Sequence, residues 1–364
     1  MRQLGLLRER FPDACLTAVL AGNFVQRGEP AVLSKYERAE AAVICGADLV
    51  CELPFPWSAQ GAGFYAGASV AVAARLGCDT LSFGSETGDL DRLLSAVKRL
   101  ESPEFADGLE RAESGSMRSA DSHIAVLRKV YASLYGEELP AGSNDTLALE
   151  YLRAISRGGY ALSPLCIKRE GFWTATRSRE LLRAGELEKL KEETPEELDG
   201  FYAERRPVLP DAIGPAALNF FRTHGQAELA VYADLGGGIA GRLCAAAANA
   251  ADYGEFLSLA ATKKYTHARL RRAVLAAMTG TRECDVKEKP AYTSLLAANA
   301  RGTEFLRQAK KRGEITILTR PSDGKSLDGT AARQFALALK AESLWALAAG
   351  ESPADQMRKG PFIG

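Results

Sequence analysis

Histidine is almost missing from this chain: among 364 residues only His123, His224 and His267 occur. No two stand at the spacing of a metal or phosphate motif. Neither a Ser/His/Asp nor a Cys/His set can be assembled around them, so no catalytic residue is assigned. Isolated histidines of this kind read as surface or cap residues. Cys-x-x-Cys is missing as well. Cys15, Cys45, Cys51, Cys78, Cys166, Cys244 and Cys284 are odd in number and irregularly spaced. That excludes a zinc ribbon and a disulfide framework and reads as reduced, buried thiols. Net charge is absent too, since 46 Lys and Arg face 46 Asp and Glu. The chain is therefore no bulk polycation, and any nucleic-acid site must be a local patch. No apolar run reaches the roughly 18 to 20 residues of a membrane span. Met1-Arg2-Gln3-Leu4 leads into a charged helical pattern rather than a signal peptide. The expectation is a cytoplasmic protein with no membrane contact, no bound metal and no protein partner.

What is present is an alternating pattern. Short apolar runs rich in β-branched residues and cysteine occur at 15–20, 48–53 and 78–83. Helical patterns lie at about 35–46, 61–76 and 89–101. Strands each followed by a helix predict an α/β domain with a parallel sheet, covered on both faces. Helices are predicted over 118–134 and 145–157, a strand over 163–170 and a short helix over 177–184. An acidic segment at 186–199 reads as a solvated helical connector and a proline-bearing segment at 205–214 as a linker. From there to Lys340 the pattern is mostly helical, and the last dozen residues read as loose. The predicted division is 1–185, 186–214 and 215–364. The chain opens on a helix, with Leu4, Leu6, Leu7 and Phe11 at helical spacing, where a doubly wound domain begins with a strand.

Two motif matches carry no chemistry. Gly236–Gly241 fits G-x-G-x-x-G, but it follows a helical pattern and reads as an inter-helix loop. Gly324-Lys325-Ser326 resembles the end of a P-loop, but Thr319 stands where the motif needs glycine. The strand ends say more. Gly22–Pro30 follows the first predicted strand and Gly84-Ser85-Glu86 the third. Ligands bind beyond the carboxyl ends of parallel strands, where glycine lets backbone N–H groups approach a phosphate or base. Asn144 opens a helix, as cap or as ligand. Arg169 ends the strand Leu165–Arg169, in reach of a phosphate or in a surface salt bridge. Thr174–Arg179 opens another helix, whose N–H groups and hydroxyls suit an anion.

Positive charge concentrates in the second half. Lys263, Lys264, Arg269, Arg271 and Arg272 lie in one stretch without a carboxylate, and Tyr265 among them could stack on a base. Arg307, Lys310, Lys311 and Arg312 form a second cluster. The pattern reads either as a nucleic-acid face or as a solvated helix balanced by acids elsewhere.

Together these segments resemble the bacterial tRNA(Met) cytidine acetate ligase family over nearly the whole chain. Residues 21–70 carry the resemblance most strongly. FGSETGD (83–89), SNDTLALEYLRAI (143–155), IKRE (167–170), TATRSR (174–179) and KKYTHARLRR (263–272) follow in the family's order. The resemblance implies a Rossmann-like nucleotidyltransferase domain followed by a mostly helical tRNA-binding domain. It implies that ATP, with Mg²⁺, activates acetate as acetyl-adenylate. The acetyl group then passes to N4 of the wobble cytidine of elongator tRNA(Met). It carries ATP contacts over to Gly84, Asn144 and Arg169, with Thr174, Thr176 and Arg179 on phosphates. A basic face at Lys263, Lys264, Arg269, Arg271 and Arg272 would hold the tRNA.

Three departures stand out. The family opens with a strand and an Asn-Pro-Phe-His-Asn-Gly-His loop around ATP, and Met1-Arg2-Gln3-Leu4 aligns at or after its end. The expectation is a start codon assigned too late, leaving this chain poorly active and prone to aggregate through an exposed sheet edge. Ser143-Asn144-Asp145 replaces the usual Pro-Asn-Asn, and the stretch between Gly171 and Thr174 is short. The alternative reading is a non-catalytic RNA-binding relative that has shed its ATP loop.

Overall fold

The computed structural model describes residues 2–114, 123–169, 175–192, 194–198, 200–202 and 205–364. Its central layer is a sheet whose strands run β1 (Thr17–Ala21), β4 (Leu49–Leu53), β7 (Tyr292–Ala298) and β8 (Thr316–Leu318) in spatial order. Between β1 and β4 the chain forms a small hairpin, β2 (Phe24–Val25) and β3 (Glu29–Pro30). β5 (Thr80–Ser85) and β6 (Ser163–Lys168) pair in parallel as a separate ribbon. The last strand, β9 (Phe362–Ile363), joins β7. β8 and β9 divide one edge of β7, β8 at Tyr292–Ser294 and β9 at Ala297–Ala298.

The first-half strands lie within two residues of their predicted places. β1 and β4 are parallel, as βα units require. β4 is buried along its full length, which suits an apolar strand covered on both faces. Its helices follow from local signals. Ser34 caps Lys35–Ile44 in a reciprocal box, accepting from Glu37 N while its own N–H donates to Glu37 Oε2 at 2.8 Å. Ala62–Leu76 is alanine-rich and buried over its second half, and it packs between the sheet and the helix Ser143–Gly158.

Three findings depart from the sequence expectations. Residues 292–298, read within a helical module, form β7, which enters the central sheet antiparallel to β4. It reaches the sheet from the other half of the chain rather than through a crossover from β4, so no rule forces it parallel. The last residues are not loose: Pro353–Arg358 is helical and β9 pairs with β7. The linker segment also holds structure, a short helix at Pro210–Ile213, while the acidic connector carries helical turns at Leu187–Lys191 and Glu196–Leu198 as expected.

The largest core ties the halves together. Phe24, Phe55 and Ala59 share it with Leu218, Phe221, Phe256, Leu270 and Trp345. A second core lies under β5, among Phe83, Leu93, Val97, Phe105, Tyr131, Leu149 and Leu152. Asp48 stitches the sheet at the N-terminal end of β4. It accepts from Leu16 N at 2.8 Å, Arg8 Nη2 at 2.5 Å and Asn299 Nδ2 at 2.8 Å, joining the first helix, β1 and the end of β7.

Candidate functional site

The register of β5 and β6 sets Gly84 beside Ile167 and Ser85 beside Lys168, so their carboxyl ends finish level. The ladder continues one residue further, with Arg169 N donating to Ser85 O at 2.8 Å. Gly84, Asn144 and Arg169 meet here. A Cβ at Gly84 would stand 3.1 Å from Arg169 Cγ, so the arginine stem packs closely over the bare glycine backbone. Arg169 Nη1 then reaches Asn144 Oδ1 at 3.4 Å. Among the described residues Arg169 forms no ion pair.

Asn144 does not cap its helix. The helix Ser143–Gly158 has Gly142 at its N-cap, without a side-chain bond. Its free N–H groups are taken by a carboxylate on the turn after β5. Glu86 Oε1 accepts from Asn144 N at 3.1 Å and from Asn144 Nδ2 at 2.6 Å, while Oε2 accepts from Asp145 N at 2.7 Å. Burial would raise the Glu86 pKa, but the Asn144 amide and these backbone donors outweigh it and hold the carboxyl below its ordinary value.

Asp145, the departure from Pro-Asn-Asn, turns inward and is 2% exposed. It accepts from the Ser85 hydroxyl, from Thr87 N at 3.2 Å and from Thr87 Oγ1 at 3.4 Å, pinning the turn that carries Glu86. Thr174 lies outside the described residues, as does the short stretch after Gly171. Thr176 falls in the helix Ala175–Ala184. Arg179 on that helix pairs with Glu29 Oε2 at 3.3 Å.

The basic stretch is less free than its sequence. The helix is His267–Thr279, capped by Thr266, so Lys263 and Lys264 lie in the preceding loop and share no helical face with Arg271. Both lysines are exposed. Arg271 Nη1 reaches Glu29 Oε1 at 2.9 Å. Arg269 and Arg272 flank Asp234 at 3.7 and 3.9 Å. Tyr265 is 8% exposed, and its hydroxyl donates to Gly237 O at 2.8 Å, so it is a packing residue rather than an open stacking platform. Arg269 and Lys264 sit over its ring at 5.3 and 5.6 Å. In the second cluster, Arg307 pairs with Glu304 and Arg312 donates to Leu76 O, which leaves Lys310 and Lys311 exposed.

The segment Gly22–Pro30 faces the helical half. Gly28 has φ of 72°, and a Cβ there would stand 2.7 Å from Arg272 N, so the hairpin seats directly on the backbone of the basic helix. Asn23 is buried; its Oδ1 accepts from Lys35 N at 2.6 Å and its Nδ2 donates to Glu342 Oε2 at 2.7 Å. Lys35 Nζ lies 3.0 Å from Glu52 and 3.1 Å from Glu342. Burial disfavours the charged lysine, but Glu342 and Glu52 outweigh it and raise its pKa well above the ordinary value. Sequence reasoning missed this group. One signal was available: Glu52 is a carboxylate inside an otherwise apolar strand, which requires a buried partner.

With this geometry in view, the comparisons with known proteins agree. The family model HIGH Nucleotidyl Transferase matches residues 3–359. The tRNA(Met) cytidine acetate ligase of Kosmotoga olearia is 31% identical over 344 residues, covering 86% of this chain and 80% of that protein. That of Syntrophotalea carbinolica is 31% identical, with 88% and 81% covered. The crystal structure of Thermotoga maritima TmcAL bound with alpha-thio ATP superposes with a TM-score of 0.90 at 27% identity, covering 100% of this chain and 95% of that one. This chain belongs to the HIGH Nucleotidyl Transferase family, in the group of the tRNA(Met) cytidine acetate ligases.

Proposed function

We propose that this protein uses ATP to activate acetate and transfers the acetyl group to N4 of the wobble cytidine of elongator tRNA(Met). The observation that carries the reading is the meeting of Gly84, Asn144 and Arg169 at the level ends of β5 and β6. A protein that only bound RNA would have no use for this grouping at the strand ends. In the first step an acetate oxygen attacks the α-phosphorus of ATP. The bond to the bridging oxygen breaks and pyrophosphate leaves with the electron pair. In the second step the cytidine amine attacks the acetyl carbon, AMP departs with its phosphate oxygen, and the amine gives up a proton. The protein's share is placement and charge neutralisation. Arg169, with no carboxylate partner among the described residues, is the cation assigned to a phosphate, and the Asn144 carbonyl oxygen is assigned to a hydroxyl or amino group of the nucleotide.

Mg²⁺ belongs to this reading as part of the ATP substrate. Among the described residues no cluster of three or more His, Cys, Asp or Glu is placed to hold a metal, and Glu86 and Asp145 are both engaged by protein donors. Residues 215–364 are proposed to hold the tRNA, with Lys263, Lys264 and Arg269 as the cations best placed for phosphates and Arg271 and Arg272 set behind them. No helix among the described residues is long and apolar enough to cross a membrane, in keeping with work on tRNA in the cytoplasm. The test is ATP–pyrophosphate exchange by the protein with acetate present and absent. Acetate-dependent exchange supports the proposal, and none from folded protein overturns it.

A further inference from the structure

We infer that Glu86 is a positioning residue: it fixes the amide of Asn144 so that the carbonyl oxygen, not the NH₂, faces Arg169 and the nucleotide. The inference rests on the proposed ATP site and assigns a residue that the family resemblance does not. A primary amide has two orientations of nearly equal shape. Here its neighbours have opposite chemistry. A carboxylate only accepts, and a guanidinium only donates. Glu86 Oε1 takes Asn144 Nδ2 at 2.6 Å, and Arg169 Nη1 approaches Asn144 Oδ1 at 3.4 Å. Turning the amide over would set oxygen against carboxylate and NH₂ against guanidinium. Only one orientation satisfies both sides.

Glu86 is itself held. Its oxygens accept the N–H groups of Asn144 and Asp145. Asp145 pins Thr87, the next residue along the same turn, through its backbone N–H at 3.2 Å. Gly142 leaves the space the carboxylate occupies, since a Cβ there would collide with it. The donors that surround the carboxyl keep it ionised, and therefore an acceptor, through the neutral range. A substrate donor meeting Asn144 thus finds a lone pair already aimed, with Arg169 beside it for negative charge.

The experiment is a double-mutant cycle in acetate-dependent ATP–pyrophosphate exchange, using Glu86→Gln, Glu86→Ala, Asn144→Ala and the doubles, with urea unfolding of each. Either Glu86 change is expected to raise KM for ATP about tenfold with kcat little changed, the worth of one charge-assisted hydrogen bond. In the Asn144→Ala background the same change should add less than about twofold, because the residue it orients is gone. A Glu86 effect that multiplies fully with Asn144→Ala, or no KM effect in folded protein, overturns the inference and leaves Glu86 a helix cap. If Asn144→Ala itself leaves KM unchanged, the site reading fails first, a distinct result. Should Glu86→Ala not fold, Glu86→Gln carries the cycle.

Discussion

Arg271 of the basic helix forms an ion pair with Glu29 of the β2–β3 hairpin at 2.9 Å, and the other Glu29 oxygen faces Arg179 at 3.3 Å. One carboxylate, 6% exposed, therefore joins the helix that carries Thr176 and Arg179 to the helix proposed to face tRNA. Replacing it leaves two partly buried guanidiniums facing each other. Glu29→Gln is predicted to cost about 3–5 kcal/mol, the usual scale for breaking a buried pair from one side. Urea unfolding at neutral pH measures this, and a loss under about 1 kcal/mol would show that water already solvates the group.

The same pairing divides the basic stretch into two kinds of cation. Lys263→Ala and Lys264→Ala are predicted to weaken tRNA binding and to lower the slope of log K against log salt by about 0.7–0.9 for each phosphate no longer neutralised. Arg271→Met and Arg272→Met are predicted to appear first in unfolding, through Glu29 and Asp234. Equal salt slopes for the lysine variants and wild type would remove Lys263 and Lys264 from the interface.

Arg169→Ala is predicted to raise KM for ATP about ten- to hundredfold, the worth of a hydrogen bond to a charged group. Because its guanidinium has no ion pair among the described residues, stability should change by less than about 0.5 kcal/mol. Steady-state kinetics beside a thermal melt separates the two effects, and a variant that melts early with an unchanged KM would make Arg169 a structural residue.

Asp48 gives the stability an acid limb. Burial alone would raise its pKa, but hydrogen bonds from Asn299, Leu16 N and Arg8, with the Arg8 charge, outweigh it and hold the folded value below the ordinary one. A depressed folded pKa contributes stability that is complete above the unfolded value, about 3.9, and fades as pH falls through the folded one. Asp48→Asn should lose about 1–3 kcal/mol at neutral pH and lose less on acidification than wild type. Parallel acid limbs for the two proteins would contradict this.

How much of this was legible in the sequence depends on what each residue answers to. Helices with local caps, such as Lys35–Ile44 after Ser34, were readable because their signals lie within a few residues. β7 was not. Tyr-Thr-Ser-Leu-Leu-Ala-Ala is buried at nearly every position, so it shows no alternation, and its two alanines blend with the helical pattern around it. β9 is two residues long and exists because β7 has a free edge beside Ala297 and Ala298. The meeting of Gly84, Asn144 and Arg169 came from family resemblance, since no spacing rule joins them. The roles of Glu86, Glu29 and Lys35 depend on partners far away in the chain, which a single sequence does not display.

The most direct measurement supplies the protein with ATP, isotope-labelled acetate and elongator tRNA(Met), then digests the tRNA and identifies the labelled nucleoside by mass spectrometry. The account predicts label in N4-acetylcytidine from the wobble position, dependent on ATP and slowed about ten- to hundredfold in Arg169→Ala at limiting ATP. Folded protein that binds the tRNA yet places no label in any nucleoside would contradict it.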